Sequence, residues 1–356
     1  MKTIALLALM VGLSACTSTS THPITDQQGA VIPGSIASLE AIQLGGVRQW
    51  ILIRGKSMTN PILLKLHGGP GQAEMATVAF NRQLEDEFVV VEWDQRGAGK
   101  SADAINPERA MTTDQFVQDT HELTRLLLQR FHQRQLILVG HSWGSIIGLL
   151  AVQKYPQDYQ AFVSTGQIVS FSQGMAVSYA FLLDEAKRRG NTEALDQLSQ
   201  IGPPPYQGPD SKSRRDVYEK WLGHFGALWH GNTGFDRVGW MISSVEYAWP
   251  EKLAFERAAE RSFDLLLPQL ATTDLATTVP KVDVPVYFAV GRYDHLAPYE
   301  ISQAYFTHLQ APAKTWVWFE NSAHFPQWEE PQKFHDLLTQ KVLPETEGLR
   351  VRSTDK

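Results

Sequence analysis

The chain is poor in thiols, carries no basic excess and contains no long apolar run. Cys16 is the one cysteine among 356 residues. A single thiol excludes an intramolecular disulfide framework and any multi-cysteine zinc or iron–sulfur site. Lys and Arg number 32 against 38 Asp and Glu, a formal charge of −6. That balance lacks the basic face that nucleic-acid binding requires. No stretch approaches the roughly 20 apolar residues that span a bilayer as a helix. No Gly-x-Gly-x-x-Gly fingerprint is present. His224 and His230 are not spaced as ligands on one helical face. No cofactor and no metal are therefore expected. What is abundant is core: a hydrophobic fraction of 43% excludes wholesale disorder. The length suggests about two structural units.

The N-terminus reads as an address. Lys2 precedes an apolar run from Ile4 to Leu13, and Ser14, Ala15 and Cys16 follow. A positive start, a short apolar core and small residues at its end form a signal peptide. Leu13-Ser14-Ala15-Cys16 resembles the lipobox of bacterial lipoproteins. The resemblance implies removal of residues 1–15 and lipid attachment at Cys16. It places the protein in the cell envelope, facing the periplasm from the outer or inner membrane, with the lipid as its membrane contact. Residues 16–35 are rich in Ser, Thr, Gly and Gln without periodicity and read as a flexible tether.

Beyond it, Ser38–Leu44 and Val47–Arg54 flank Gly45-Gly46 as a hairpin. Ile62–Leu66, Phe88–Trp93, Leu136–Val139, Ala161–Ser164, Val284–Val290 and Thr315–Phe319 are short apolar runs that predict buried strands. Thr113–Phe131 has helical spacing, and Thr112 with Gln115 offers a capping box. Strands alternating with helices predict an α/β fold, a mostly parallel sheet covered on both faces. Residues 171–279 break this rhythm with helical patterns and no strand. They predict a helical cap inserted into a sheet domain made of residues 36–170 and 280–345. Trp221, Trp229, Trp240 and Trp249 lie in the cap, either as core or as a wall facing substrate.

Gly140-His141-Ser142-Trp143-Gly144 follows a strand and opens a helix. This is a nucleophile elbow in its confirming context. Ser142 needs a base. His324, after the last strand, is the best placed. Asp294 follows the strand before and would hold that histidine; Asp283 and Asp264 follow no sheet strand and are weaker choices. A developing oxyanion needs backbone donors. Trp143 N–H supplies one, and Gly69 N–H in His67-Gly68-Gly69-Pro70-Gly71 the other. His67 reads as an organiser of that loop.

Together with Trp93-Asp94-Gln95-Arg96-Gly97-Ala98-Gly99-Lys100-Ser101, these motifs resemble the α/β-hydrolase superfamily from about Glu40 to Val342. Within it the chain is similar to the prolyl iminopeptidase-like serine peptidases. The resemblance implies release of an N-terminal residue, usually proline, from a peptide through an acyl-enzyme. It also implies cap glutamates that hold the free α-amino group, for which Glu185, Glu219 and Glu246 are the available residues. Ser145 stands where the iminopeptidases commonly have another glycine. Two other readings stay open: a carboxylesterase or acyl hydrolase on small esters or amides, and a catalytically silent surface-binding lipoprotein.

Overall fold

The computed structural model describes residues 20–105, 111–231 and 237–346. Cys16 and the expected signal segment lie outside the described residues. Eight strands form one sheet: β1 (Ile36–Leu44), β2 (Val47–Gly55), β3 (Ile62–Leu66), β4 (Val89–Asp94), β5 (Leu136–His141), β6 (Tyr159–Thr165), β7 (Val286–Gly291) and β8 (Lys314–Phe319). Their order is β1-β2-β4-β3-β5-β6-β7-β8. The hairpin β1–β2 and the β2–β4 pair are antiparallel, and every other pairing is parallel. The central strands are buried on both faces, which is why they are legible as continuous apolar runs. The one lysine inside β3, Lys65, sits opposite Glu92 of β4 and forms a buried ion pair with it.

Helix α1 (Thr113–Arg130) begins at Thr112, whose hydroxyl accepts from Gln115 N–H at 3.2 Å. The expected box is only half formed. The Gln115 side chain bonds Asp119 instead, because that carboxylate already gathers Arg96 and Gln49. Helix α2 (Trp143–Lys154) is apolar all round and buried beneath α1 and against the sheet.

Between β6 and β7 run α3 (Phe171–Arg188), α4 (Thr192–Ile201), α5 (Ser211–His224), α6 (Arg237–Ser243), α7 (Trp249–Leu270) and α8 (Leu275–Thr278). An isolated bridge between Ser170 and Asp274 closes the base of this insertion. Helices α3, α4 and α5 enclose a core of their own around Leu182, Leu198, Trp221 and Leu222. Helix α7 belongs with the sheet: Leu266 and Leu270 join the main core, and Ser262 Oγ bonds Gly97 O. Of the cap tryptophans, Trp221 is core, while Trp229 and Trp240 pack with each other and Trp240 with Trp328. Trp249 is 60% exposed.

The tether expected over residues 16–35 is not loose from Thr21 onward. Arg54 donates to Thr21 Oγ1 and His22 O, both at 2.6 Å. Thr21 Oγ1 bonds Glu246, and Ile24 is buried. Composition alone predicts a linker; the buried Arg54, with donors to spare beyond Glu85, fixes it.

Candidate active site

The elbow is built by absent side chains. A Cβ on Gly140 would meet Gly144 O, one on Gly144 would meet Leu66 O, and one on Gly148 would meet the Phe162 ring. Only glycine lets α2 approach the strands this closely. Ser142 sits at the turn with φ +52°, a conformation that is strained for a side-chain-bearing residue. Its N–H bonds Thr165 O at 2.9 Å. Ser145 supports the turn: its hydroxyl donates to Ser142 O at 2.6 Å and accepts from Ile168 N–H at 3.1 Å.

His324 and Asp294 come from the loops after β8 and β7. His324 Nδ1 bonds Asp294 Oδ2 at 2.9 Å, with both residues buried. The other oxygen, Oδ1, accepts from Leu296 N–H at 3.1 Å and Ala297 N–H at 2.9 Å. Asp294 is therefore fixed on both sides. The bond to a carboxylate places the imidazole proton on Nδ1 and leaves Nε2 as the acceptor. Nε2 is buried and has no hydrogen-bond partner among the described residues. Ser142 and His324 line one cavity. Of the two weaker aspartates, Asp283 pairs with Lys281 and Asp264 with Arg215.

Gly69 lines the same cavity, with φ +111°. Trp143 opens α2, so its N–H has no partner one turn earlier in the helix. Two side chains brace these donors, and sequence reasoning missed both. Gln95 Nε2 donates to His67 O at 3.1 Å, and its Oε1 accepts from Trp143 Nε1 at 3.0 Å. Gln95 N–H donates to His67 Nε2 at 3.1 Å, which sends the His67 proton to Nδ1 and on to Gly68 O at 2.8 Å. Both imidazole nitrogens are thus occupied, and burial depresses this histidine to about 4. Glu74 is the second brace. Its Oε1 accepts from Gly68 N–H at 3.0 Å and faces His141 Nδ1 at 2.8 Å. Burial pushes this carboxyl up, but His141 and then Lys65 outweigh it and hold it below its usual range.

The histidine loop has its own clamp. Glu329 Oε2 accepts from Ala323 N–H at 2.9 Å and Phe325 N–H at 3.1 Å, the residues on either side of His324. Burial pushes this carboxyl up to about 7 against the pull of these N–H groups. Gly166 completes the fit, since a Cβ there would lie 2.6 Å from His324 Cε1.

The three cap glutamates part company. Glu219 lines the cavity. Glu185 is taken by Arg188 and Arg189, and the Arg188 hydrogen bond leads in holding its carboxyl down at about 2. Glu246 is buried elsewhere, between Thr21 and Ser244. Neither of these two lines the cavity. Its remaining wall is largely apolar, with Ile168, Val169, Leu222, Phe263 and Ile301. Among the described residues no group of three or more His, Cys, Asp or Glu is placed to hold a metal ion.

A family model described as "Serine aminopeptidase, S33" matches residues 59–194. A probable aminopeptidase, YbaC, of Bacillus subtilis is 33% identical over 309 residues, covering 86% of this chain and 96% of that protein. A proline iminopeptidase of Saccharolobus solfataricus is 26% identical over 299 residues, covering 80% and 85%. Among solved structures, a proline iminopeptidase of Mycobacterium smegmatis superposes with a TM-score of 0.61 at 18% identity, covering 88% of this chain and all of that one. The last likeness is one of fold: a mostly parallel sheet flanked by helices.

Proposed function

The chain belongs to the serine aminopeptidase, S33, family of α/β hydrolases, and from that premise we propose that it releases N-terminal proline or a small N-terminal residue from peptides through an acyl-enzyme. The observation that carries the acyl-enzyme chemistry is His324: held by Asp294 through Nδ1, with Nε2 bare and buried at the cavity that Ser142 lines. Ser142 Oγ attacks the scissile carbonyl while Nε2 takes its proton. Asp294 keeps the tautomer and stabilises the imidazolium. Gly69 and Trp143 N–H receive the oxyanion. Collapse expels the amine, which collects the proton from His324. Water then repeats the sequence on the acyl-enzyme. Glu219 is the cap carboxylate that receives the substrate α-amino group, because it alone of the three expected glutamates lines the cavity.

The apolar wall favours a second reading, hydrolysis of small acyl esters. Purified residues 17–356 should be assayed on prolyl and alanyl arylamides and on short aryl esters, with Ser142→Ala as control. Ester turnover with no aminoacyl arylamide turnover would select the second reading. Turnover that survives Ser142→Ala would remove the mechanism. Failure to label with a fluorophosphonate would leave a silent binding protein.

We also propose anchorage through lipid at Cys16, in the envelope and facing the periplasm. Two facts support it. Thr21 is already pinned to Glu246, so only a short stretch of chain separates Cys16 from the body. Around Glu246 in the chain, Ile242, Val245, Trp249 and Leu253 are exposed apolar residues, Leu253 at 81%. Cys16→Ser should move the protein from the membrane to the soluble fraction; retention in the membrane would overturn the anchor.

A further inference from the structure

Helix α5 turns more than a glutamate toward the catalytic cavity. Arg215, Tyr218 and Glu219 lie at i, i+3 and i+4, one face of the helix, and all three line the cavity with Ser142 and His324. Arg215 and Tyr218 are buried, 8% and 3% exposed. The Arg215 guanidinium lies 4.9 Å from the Phe263 ring centroid. Its Nη2 donates to Asp264 Oδ1 at 2.9 Å. Its Nη1 is buried with no hydrogen-bond partner among the described residues. The Tyr218 hydroxyl is likewise without a partner in bonding geometry, with Ser178 as a neighbour, and burial pushes the phenol upward, so it stays protonated.

Buried unpartnered donors are rare in native proteins, and each calls for an explanation. Neither group takes part in the chemistry assigned to Ser142, His324 and Asp294. Asp264 does not close the account. It occupies one arm of the guanidinium and is itself 59% exposed, so water screens its charge. What remains is a cationic N–H fork and a phenol O–H, offered from one helical face into a cavity whose other walls are mostly apolar. An arginine fork is suited to a carboxylate.

We propose that Arg215 and Tyr218 form a carboxylate subsite of the catalytic cavity, so that the preferred substrates carry an anionic group away from the scissile bond. The source of that carboxylate rests on the aminopeptidase reading. It is either the α-carboxylate of a dipeptide, bound on the leaving-group side, or the side chain of an acidic N-terminal residue, bound on the acyl side. In the first case Glu219 and Arg215 grip the two charged ends of a zwitterion, and the enzyme is a dipeptidase by length. In the second it accepts acidic N-terminal residues better than their neutral amides.

Matched pairs separate these cases: alanyl-alanine against its C-terminal amide, and a glutamyl arylamide against the glutaminyl one. Each is assayed with the wild type, Arg215→Met and Arg215→Lys. A charge-assisted bond of this kind supports a preference of about 10- to 100-fold for the acid in one of the two pairs. The preference should lie mainly in KM. Arg215→Met should reduce it below about 3-fold while leaving the neutral member within about 3-fold of wild type. Arg215→Lys should keep part of it. No preference in either pair, or an equal loss on acid and neutral members, overturns the subsite. Thermal unfolding and fluorophosphonate labelling check that Arg215→Met is folded. Should it unfold, Tyr218→Phe, which removes one hydroxyl, must still weaken the preference. Titration of the same pairs into Ser142→Ala protein by calorimetry reads the subsite without turnover. Discrimination there with no peptide hydrolysis overturns only the aminopeptidase reading, and equal affinities overturn the subsite itself.

Discussion

Gln95→Leu removes one side-chain amide and should loosen both walls of the oxyanion site at once. Gln95 is fully buried, and its amide joins His67 O to Trp143 Nε1. Leucine has nearly the volume of glutamine but no polar atom. Two buried partners, a carbonyl and an indole N–H, would then lose their bonds. Each such loss costs about 1–3 kcal/mol. The variant should therefore be less stable by about 2–6 kcal/mol, less whatever the apolar side chain returns. The two segments it releases are those that carry Gly69 N–H and Trp143 N–H. Deleting an oxyanion donor outright costs about 10²–10³ in kcat. Displacing two without deleting either should cost less, about 10-fold to 100-fold. Urea unfolding gives the first number, and kcat on an alanyl arylamide or aryl ester gives the second. Trp143→Phe alone removes the same indole bond, so the double variant should be less damaging than the sum of the singles. A Gln95→Leu protein that loses stability but keeps kcat within twofold would refute the argument that this bridge positions the oxyanion donors.

Three further outcomes follow from the geometry. Gly166→Ala puts a methyl 2.6 Å from the His324 ring at φ +56°; kcat should fall by about 10-fold or more, and unchanged kcat would mean that the loop carrying His324 yields freely. Glu219→Gln should raise KM for aminoacyl arylamides by about 10-fold and leave aryl esters unaffected, whereas Glu185→Gln and Glu246→Gln should change neither. Glu329 has a folded value of about 7, above that of an unfolded carboxyl. It favours its protonated form in the native state, so its contribution to stability is full at low pH and is lost as pH rises from about 4.5 to about 7. Glu329→Gln should flatten the change in thermal stability between pH 5 and pH 7.5; an unaltered pH profile would contradict the assignment.

What the sequence makes legible here is local. Parallel strands are buried on both faces, so Ile62–Leu66 and Leu136–Val139 stand out as apolar runs. Glycines at an elbow stand out because no other residue fits. Asp294 and His324 are found because each follows a strand, and strand ends of one parallel sheet lie at one edge. The braces are invisible for the opposite reason. Gln95 reaches Trp143 across 48 residues, Glu74 reaches His141 across 67, and the orphaned donor of Arg215 lies on a helix with no motif. Nothing in spacing or periodicity distinguishes Glu74 or Glu329 from a solvated surface charge. Among three cap glutamates of equal standing in sequence, tertiary placement alone separates Glu219 from Glu185 and Glu246.

The insertion between β6 and β7 has a consequence for where the proposed roles are encoded. Helices α3, α4 and α5 carry a hydrophobic core of their own, closed at the base by the Ser170–Asp274 bridge. The nucleophile, the base and the oxyanion donors are borne by the sheet, whereas Arg215, Tyr218 and Glu219 are borne by α5. Helix α5 meets the rest of the fold through Arg215, which bonds Asp264 and lies over Phe263 on α7. On the proposed roles, reactivity sits on the sheet and selectivity on an inserted helix, so the two are encoded in different segments of one chain.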